Sequence, residues 1–167
     1  MKSMISTQPP SGFRDFLNDE AKLRMKLIRL ISETYESFGF SPIVTPALEN
    51  LNVLKGSGGG DENEKLIFKV MKRGEKLAQV LQADSTEART EDELADFGMR
   101  FDLTVPLSRV SANYQNQIQF PWKVFQIGSV WRAERAQKGR FREFTQCDVD
   151  IVGSKGIAAE LEVIQAV

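Results

Sequence analysis

The sequence has no histidine at all and a single cysteine, Cys147. Without histidine the commonest general base is missing, which excludes hydrolytic triads and imidazole-based acid–base schemes. One cysteine excludes an internal disulfide. With no histidine beside it, a zinc site of the usual ligands cannot be assembled, so no metal-ligating residue is expected. No apolar run approaches the ~20 residues needed to span a bilayer. The opening MKSMISTQPPSGFRDF has no apolar stretch of the kind secretory leaders carry. A cytoplasmic protein with no membrane partner is therefore expected. A charge excess is lacking too: 22 Lys+Arg stand against 23 Asp+Glu, a net charge of −1. Any nucleic-acid contact must then be a local basic patch on a near-neutral body. What is present is 167 residues, 41% of them apolar and 27% charged. That is enough for one core, read as one domain or part of one.

Along the chain, Pro9, Pro10 and Gly12 mark residues 1 to about 12 as an irregular arm. Asn18 and Asp19 offer N-cap chemistry for a helix running to Ser37, whose Leu23, Leu27, Leu30, Ile31 and Tyr35 share one face at 3.6-residue spacing. Gly39 ends it, and residues 40–46 read as a strand closed by Pro46. The glycine-rich run 55–61 lacks the Gly-Lys-Ser/Thr of a phosphate loop and reads as a surface loop. Residues 66–71 and 76–80 flank Arg73-Gly74 as a short hairpin, and 84–96 reads as a polar loop or short surface helix. Strand-like pieces follow at 100–105, 124–132 and 141–152, with a helix at 106–114 between the first two. A helical pattern at 156–167 ends without a cap or breaker, so a longer protein is expected. There are no internal repeats. These elements predict an α+β fold, a mostly antiparallel sheet flanked by helices.

Alternate residues of a strand share a face. Over 141–152 one face collects Phe141, Glu143, Thr145, Cys147, Val149 and Ile151, a largely apolar set suited to burial. The other collects Arg142, Phe144, Gln146, Asp148 and Asp150, a poor core and a good ligand surface. In the preceding strand Phe125, Ile127 and Trp131 take one side, and Arg132 and Glu134 the other. Arg132, Arg135, Lys138, Arg140 and Arg142 fall within eleven residues around the intervening turn. Arginine forks grip phosphate oxygens in pairs and a ring can stack on a base, so a nucleotide suits this hairpin. A solvated, charge-rich turn suits it equally well on spacing alone.

Four segments settle which reading to prefer. Val130-Trp-Arg-Ala-Glu134, a variable loop and then GRFREFTQ (139–146) resemble motif 2 of the class II aminoacyl-tRNA synthetases. The run QKGRFREFTQCDVDIVG (137–153) is most similar to the histidyl members. MRFDLTVP (99–106) resembles that family's amino-acid-site strand, and PSGFRD (10–15) the family's pattern at the start of the chain. The helix with GFSPIVTP (39–46) resembles motif 1, the dimer-interface element. The four occur in the family's order and span nearly the whole chain.

The resemblance implies the N-terminal portion of a class II catalytic domain over 1–167, with motif 1 at about 18–46 and motif 2 at about 124–153. Motif 3, a second histidine-site loop and the anticodon-binding domain are expected outside this chain, and the 167 residues alone are expected to have little activation activity. The implied reaction joins histidine to ATP as histidyl-adenylate and passes it to tRNA(His). Arg132 is the implied catalytic residue, holding the α-phosphate and the substrate carboxylate while charge grows during in-line attack. Glu134 is implied to accept from the adenine amino group, Phe144 to stack on the ring, and Arg140 and Arg142 to meet the β- and γ-phosphates. For histidine, Asp102, Thr104 and Gln146 are implied partners of the α-ammonium, and Asp150 of an imidazole N–H. Read as a strand, 100–105 would put Asp102 and Thr104 on one face with Leu103 opposite. Gln137 and Lys138 are the implied contacts of the tRNA acceptor end. ATP and phosphate-bridging Mg2+ are the implied cofactors, and a homodimer the implied assembly. A regulatory subunit of ATP phosphoribosyltransferase that shares this fold, a plain nucleotide- or RNA-binding module and other class II synthetases are the competing readings.

Overall fold

Backbone pairing is concentrated in two ten-residue strands, and the rest of the chain is arranged around them. The computed structural model describes residues 5–56, 63–83 and 88–167. In chain order the elements are α1 (Asn18–Ser37), β1 (Ser41–Pro42), β2 (Leu48–Asn50), α2 (Leu51–Lys55), β3 (Lys69–Met71), α3 (Glu75–Gln82), α4 (Glu91–Leu94), β4 (Ala95–Met99), α5 (Thr104–Asn113), β5 (Trp122–Trp131), β6 (Glu143–Val152) and α6 (Ile157–Ala166). One sheet has the order β1-β5-β6, with β1 parallel to β5 and β5 antiparallel to β6. The other, β2-β4-β3, is antiparallel throughout. The α+β reading with mostly antiparallel pairing holds.

Each sheet has its own apolar cluster. On the β5–β6 sheet, Tyr35, Phe40, Phe125 and Ala166 are buried, with Ile31, Ile127, Val149, Ile151 and Val163 packed against them. Tyr35 meets Phe125 edge-on at 5.4 Å between ring centroids, within the range where aromatic pairs add to area burial. On the second sheet Leu51, Leu54, Ile67, Ala95 and Phe101 are buried together. Two buried polar groups tie the sheets to their loops. Glu49 on β2 receives Arg109 of α5 in a two-pronged pair, Nη2 to Oε1 at 2.7 Å and Nε to both carboxylate oxygens at 2.9 Å. Arg100 donates to the Ser129 carbonyl at 2.9 Å and to the Thr45 carbonyl at 2.8 Å.

Several local expectations are corrected. Asn18 and Asp19 do not cap α1: its N-cap is Leu17, with no side-chain bond, and Asn18 has φ +42°. Asp19 and Glu20 lie inside the first turn, where negative charge suits the helix dipole instead. The strand at 40–46 shrinks to Ser41–Pro42, continued by Ile43 N–H donating to the Phe125 carbonyl at 3.0 Å. Residues 76–80 are not the return arm of a hairpin but part of α3; β3 pairs with β4, which begins at Ala95. Within 84–96, the short helix expected as one reading is α4, opened by a reciprocal Thr90–Glu93 capping box. The loop expected at 55–61 falls mostly on residues outside the described set, as do residues 1–4 of the arm and 84–87. Most consequentially, 100–105 is not a strand. β4 stops at Met99 and α5 starts at Thr104, because the Asp102 carboxylate accepts the Val105 N–H at 3.1 Å. Pro106 sits in the first turn of α5, where its missing N–H has no helical partner to lose.

Candidate active site

The β5–β6 register fixes what each face of the hairpin carries. Ile127 lies opposite Cys147, Phe125 opposite Val149 and Lys123 opposite Ile151. This face turns to α1 and α6: Ile127, Val149 and Ile151 join the Tyr35 cluster, and Arg24 of α1 donates to Thr145 Oγ1. The division of faces read from alternation holds. On the opposite face Val130 pairs with Phe144, Gly128 with Gln146, Gln126 with Asp148 and Val124 with Asp150. The β5 members are small or buried beneath Arg100 and Leu103, while the β6 members are half-buried and, Phe144 apart, polar.

Arg132 follows directly from β5. Its N–H donates to the Arg142 carbonyl at 2.8 Å and its Nε to the Phe101 carbonyl at 3.1 Å. The guanidinium carbon then stands 5.0 Å from the centre of the Phe144 ring. Arg132 is therefore held by backbone alone and pairs with no carboxylate at salt-bridge distance among the described residues. Its field nonetheless reaches Asp102 and Asp148. Burial pushes the Asp102 carboxyl above the usual carboxylate range, while the Val105 N–H and Arg132 act in the opposite direction. Asp148 is raised by burial first, then by Asp150 and Asp102, with Arg132 opposing. Burial alone raises Asp150. Two carboxyls, Asp102 and Asp148, thus feel the Arg132 guanidinium, and Asp150 adds its charge to Asp148. Between Phe144 and Asp148 on this face of β6 is Gln146, whose buried Oε1 accepts no hydrogen bond among the described residues. An unmet buried acceptor beside an acidic group is suited to a cationic donor such as an ammonium.

The hairpin end carries the rest. Arg140 pairs with the Glu134 carboxylate. Arg142 donates through Nε to the Glu134 carbonyl at 2.8 Å. Gln137 and Arg140 close the turn through reciprocal backbone bonds of 3.2 and 3.0 Å, with Gly139 at φ +79°. Gln137 and Lys138 are exposed at its tip.

The sequence-predicted residues therefore fall into three groups. Arg132, Phe144, Gln146, Asp150 and Asp102 share one face, and Glu134, Arg140 and Arg142 are gathered at the adjoining hairpin end. Gln137 and Lys138 stand apart at the tip. Thr104 does not share a strand face with Asp102. It opens α5 and lines, with Asp102, Ser108 and Arg109, an open cavity of about 400 Å3 whose walls do not include Gln146 or Asp150. Two residues had no role assigned from sequence. Asp148 was on the ligand face by alternation, but nothing local showed that it meets Asp102. Arg100 gave no sequence signal beyond being a charge among apolar neighbours; a Cβ on Gly128 would come within 2.5 Å of its Nη2, which puts it against the same strand.

A profile of the family described as histidyl-tRNA synthetase matches residues 12–91 and 87–167. The histidine–tRNA ligase of Christiangramia forsetii is 43% identical over 159 residues, covering 93% of this chain and 35% of that protein. The crystal structure of histidyl-tRNA synthetase from Nostoc sp. PCC 7120 superposes with a TM-score of 0.67 at 33% identity, over 97% of this chain and 34% of that one. A structure from Bacillus halodurans C described as an ATP phosphoribosyltransferase regulatory subunit/histidyl-tRNA synthetase gives 0.74 at 23% identity, over 98% and 37%, a likeness of fold. The fold is that of a class II aminoacyl-tRNA synthetase catalytic core, present in part. Within that class, the chain belongs to the histidyl-tRNA synthetase family. It spans about a third of the length of the relatives it matches.

Proposed function

We propose that the protein to which this chain belongs activates histidine with ATP and transfers it to tRNA(His), and that residues 1–167 are the N-terminal part of its catalytic domain. The observation that carries this reading is the β5–β6 face: a backbone-held Arg132 over Phe144, next to the unmet Gln146 acceptor and three carboxyls. A nucleotide with an aromatic base and a small cationic amino acid are the two ligands that such neighbours complement. Arg132 contacts the α-phosphate and the substrate carboxylate. Phe144 stacks on adenine, Glu134 accepts from its amino group once released from Arg140, and Arg140 and Arg142 take the outer phosphates. Asp102, Thr104 and Gln146 receive the α-ammonium, and Asp150 an imidazole N–H. Mg2+ bound with ATP would supply charge neutralisation to in-line attack by the substrate's own carboxylate. No covalent nucleophile is needed, in keeping with a chain without histidine.

Gln137 and Lys138, exposed at the tip, meet the tRNA acceptor end. Motif 1 extends over about 18–46 and motif 2 over about 124–153. Leu17 at the N-cap of α1, Met25 and Leu30 within it and Val44 beyond β1 are exposed apolar side chains, which supports a homodimer formed through this region. No described helix is long and apolar enough to cross a membrane, in keeping with a cytoplasmic enzyme. The regulatory-subunit reading shares the fold; retention of Arg132, Glu134, Arg140, Arg142 and Phe144 together favours the synthetase.

The test is ATP–pyrophosphate exchange by the full-length protein and its Arg132→Ala variant. Loss of a group aimed at developing transition-state charge lowers kcat by about 10²–10³. An Arg132→Ala protein that exchanges at the wild-type rate would sink the assignment.

A further inference from the structure

The arm before α1 makes contacts with the hairpin that neither the motif 2 reading nor the fold requires. Gly12 accepts the Arg142 N–H at 2.8 Å through its carbonyl, and the Ser11 carbonyl accepts from Arg142 Nη1 at 3.5 Å. With Nε already on the Glu134 carbonyl at 2.8 Å, Arg142 is gripped at its backbone and its guanidinium at once. The grip is close. Gly12 has φ +86°, and a Cβ there would lie 2.7 Å from Arg142 Cγ, 2.9 Å from its Cδ and 3.1 Å from Ala136 Cβ. Any side chain at position 12 must therefore displace the aliphatic stem of Arg142 as well as strain the backbone.

The arm is fastened on both sides of this contact. Phe13 N–H donates to the Pro10 carbonyl at 3.0 Å, closing a turn around Ser11 and Gly12. The Phe13 ring packs on Phe68, 6.1 Å between centroids. Arg14 lies against two rings, its guanidinium carbon 4.3 Å from the centre of Phe16 and 4.4 Å from that of Phe141, the residue next to Arg142. Cation–π contact with one ring on the arm and one on the hairpin makes Arg14 a latch between them.

We propose that residues 10–16 form a strap that sets the direction of Arg142 toward the ATP phosphates, with Gly12 and Arg14 as positioning residues. This rests on the reading of Arg142 as a phosphate ligand. An arginine with several rotatable bonds binds phosphate more weakly when those bonds are free than when its stem is already fixed. The strap therefore acts on ATP and leaves the histidine side of the site, on the other end of the β6 face, untouched.

The experiment measures ATP–pyrophosphate exchange in the full-length protein carrying Gly12→Ala, Arg14→Ala, Arg14→Lys or Arg142→Ala, with KM determined separately for ATP and histidine. Gly12→Ala is expected to raise KM for ATP about tenfold, and Arg14→Ala about threefold, with KM for histidine changed less than about twofold. Arg14→Lys, which keeps a cation against the rings, recovers part of the loss. Arg14→Ala introduces no strain and carries the test alone if Gly12→Ala does not fold. The strap is overturned if Arg142→Ala raises KM for ATP while Gly12→Ala and Arg14→Ala leave it unchanged, or if the arm variants raise both KM values equally. An Arg142→Ala protein with wild-type KM for ATP overturns the phosphate reading of Arg142 itself, and the strap with it.

Discussion

Asp148 faces two other carboxyls, Asp102 and Asp150, and a single guanidinium, Arg132, in a half-buried position. Burial and the like charges hold its folded-state pKa above the unfolded value of about 3.9. Between those two values the folded state binds more protons than the unfolded one, so ionisation of Asp148 weakens the fold as pH rises through this window. Below the unfolded pKa both states are protonated and the penalty is gone. Asp148→Asn in the full-length, ligand-free protein should therefore melt higher than wild type at pH 7, with the difference closing by about pH 3. Thermal melts across that range check it; an Asn variant that melts below wild type at pH 7 contradicts the arrangement. The persistence of such a costly cluster is itself informative, because strain of this kind gathers at functional sites. Alternation along β6 put Asp148 on the ligand face in the sequence. Its meeting with Asp102, some forty-five residues earlier, depends on a tertiary turn that no local pattern encodes.

At the scale of elements, β5 and β6 were legible because both are long and β-rich, and along β6 period-two alternation separates a largely apolar face from a polar one. α1, with its 3.6-residue spacing and the stop at Gly39, was equally readable. Its buried contacts are concentrated at Ile31 and Tyr35, while Leu23, Leu27 and Leu30 are exposed. Errors cluster where a tertiary contact decides. Residues 100–105 look like a strand by composition, yet the Asp102 side chain starts α5 two residues before Pro106 could suggest it. Residues 76–80 are short enough to fit either period, and β3 finds its partner in β4 across α3 and α4. The Glu49–Arg109 pair, which joins β2 to α5, is another such contact. Glu49 is 5% exposed, so removing Arg109 strands a buried carboxylate, costing on the order of 3–5 kcal/mol. Arg109→Met should lower the melting temperature by several degrees, and Glu49→Gln added to it should restore part of the loss. Equal melting of wild type and Arg109→Met would show that the pair is not closed in solution.

For the whole molecule, two apolar clusters carry two small sheets, and the proposed site lies where the β5–β6 face meets the chain between β4 and α5. This scale was the least legible from periodicity and the most legible from motif order, since each motif brings its neighbours with it. The chain spans about a third of the length of the relatives it matches, so the proposed activity is tested on the full-length protein. The central claim is that the β5–β6 face pairs an ATP site with a pocket selective for histidine. ATP–pyrophosphate exchange by the full-length protein, run with each of the twenty amino acids in turn, tests it most directly. Histidine alone should support exchange; exchange with another amino acid and none with histidine, or none with any, would contradict it.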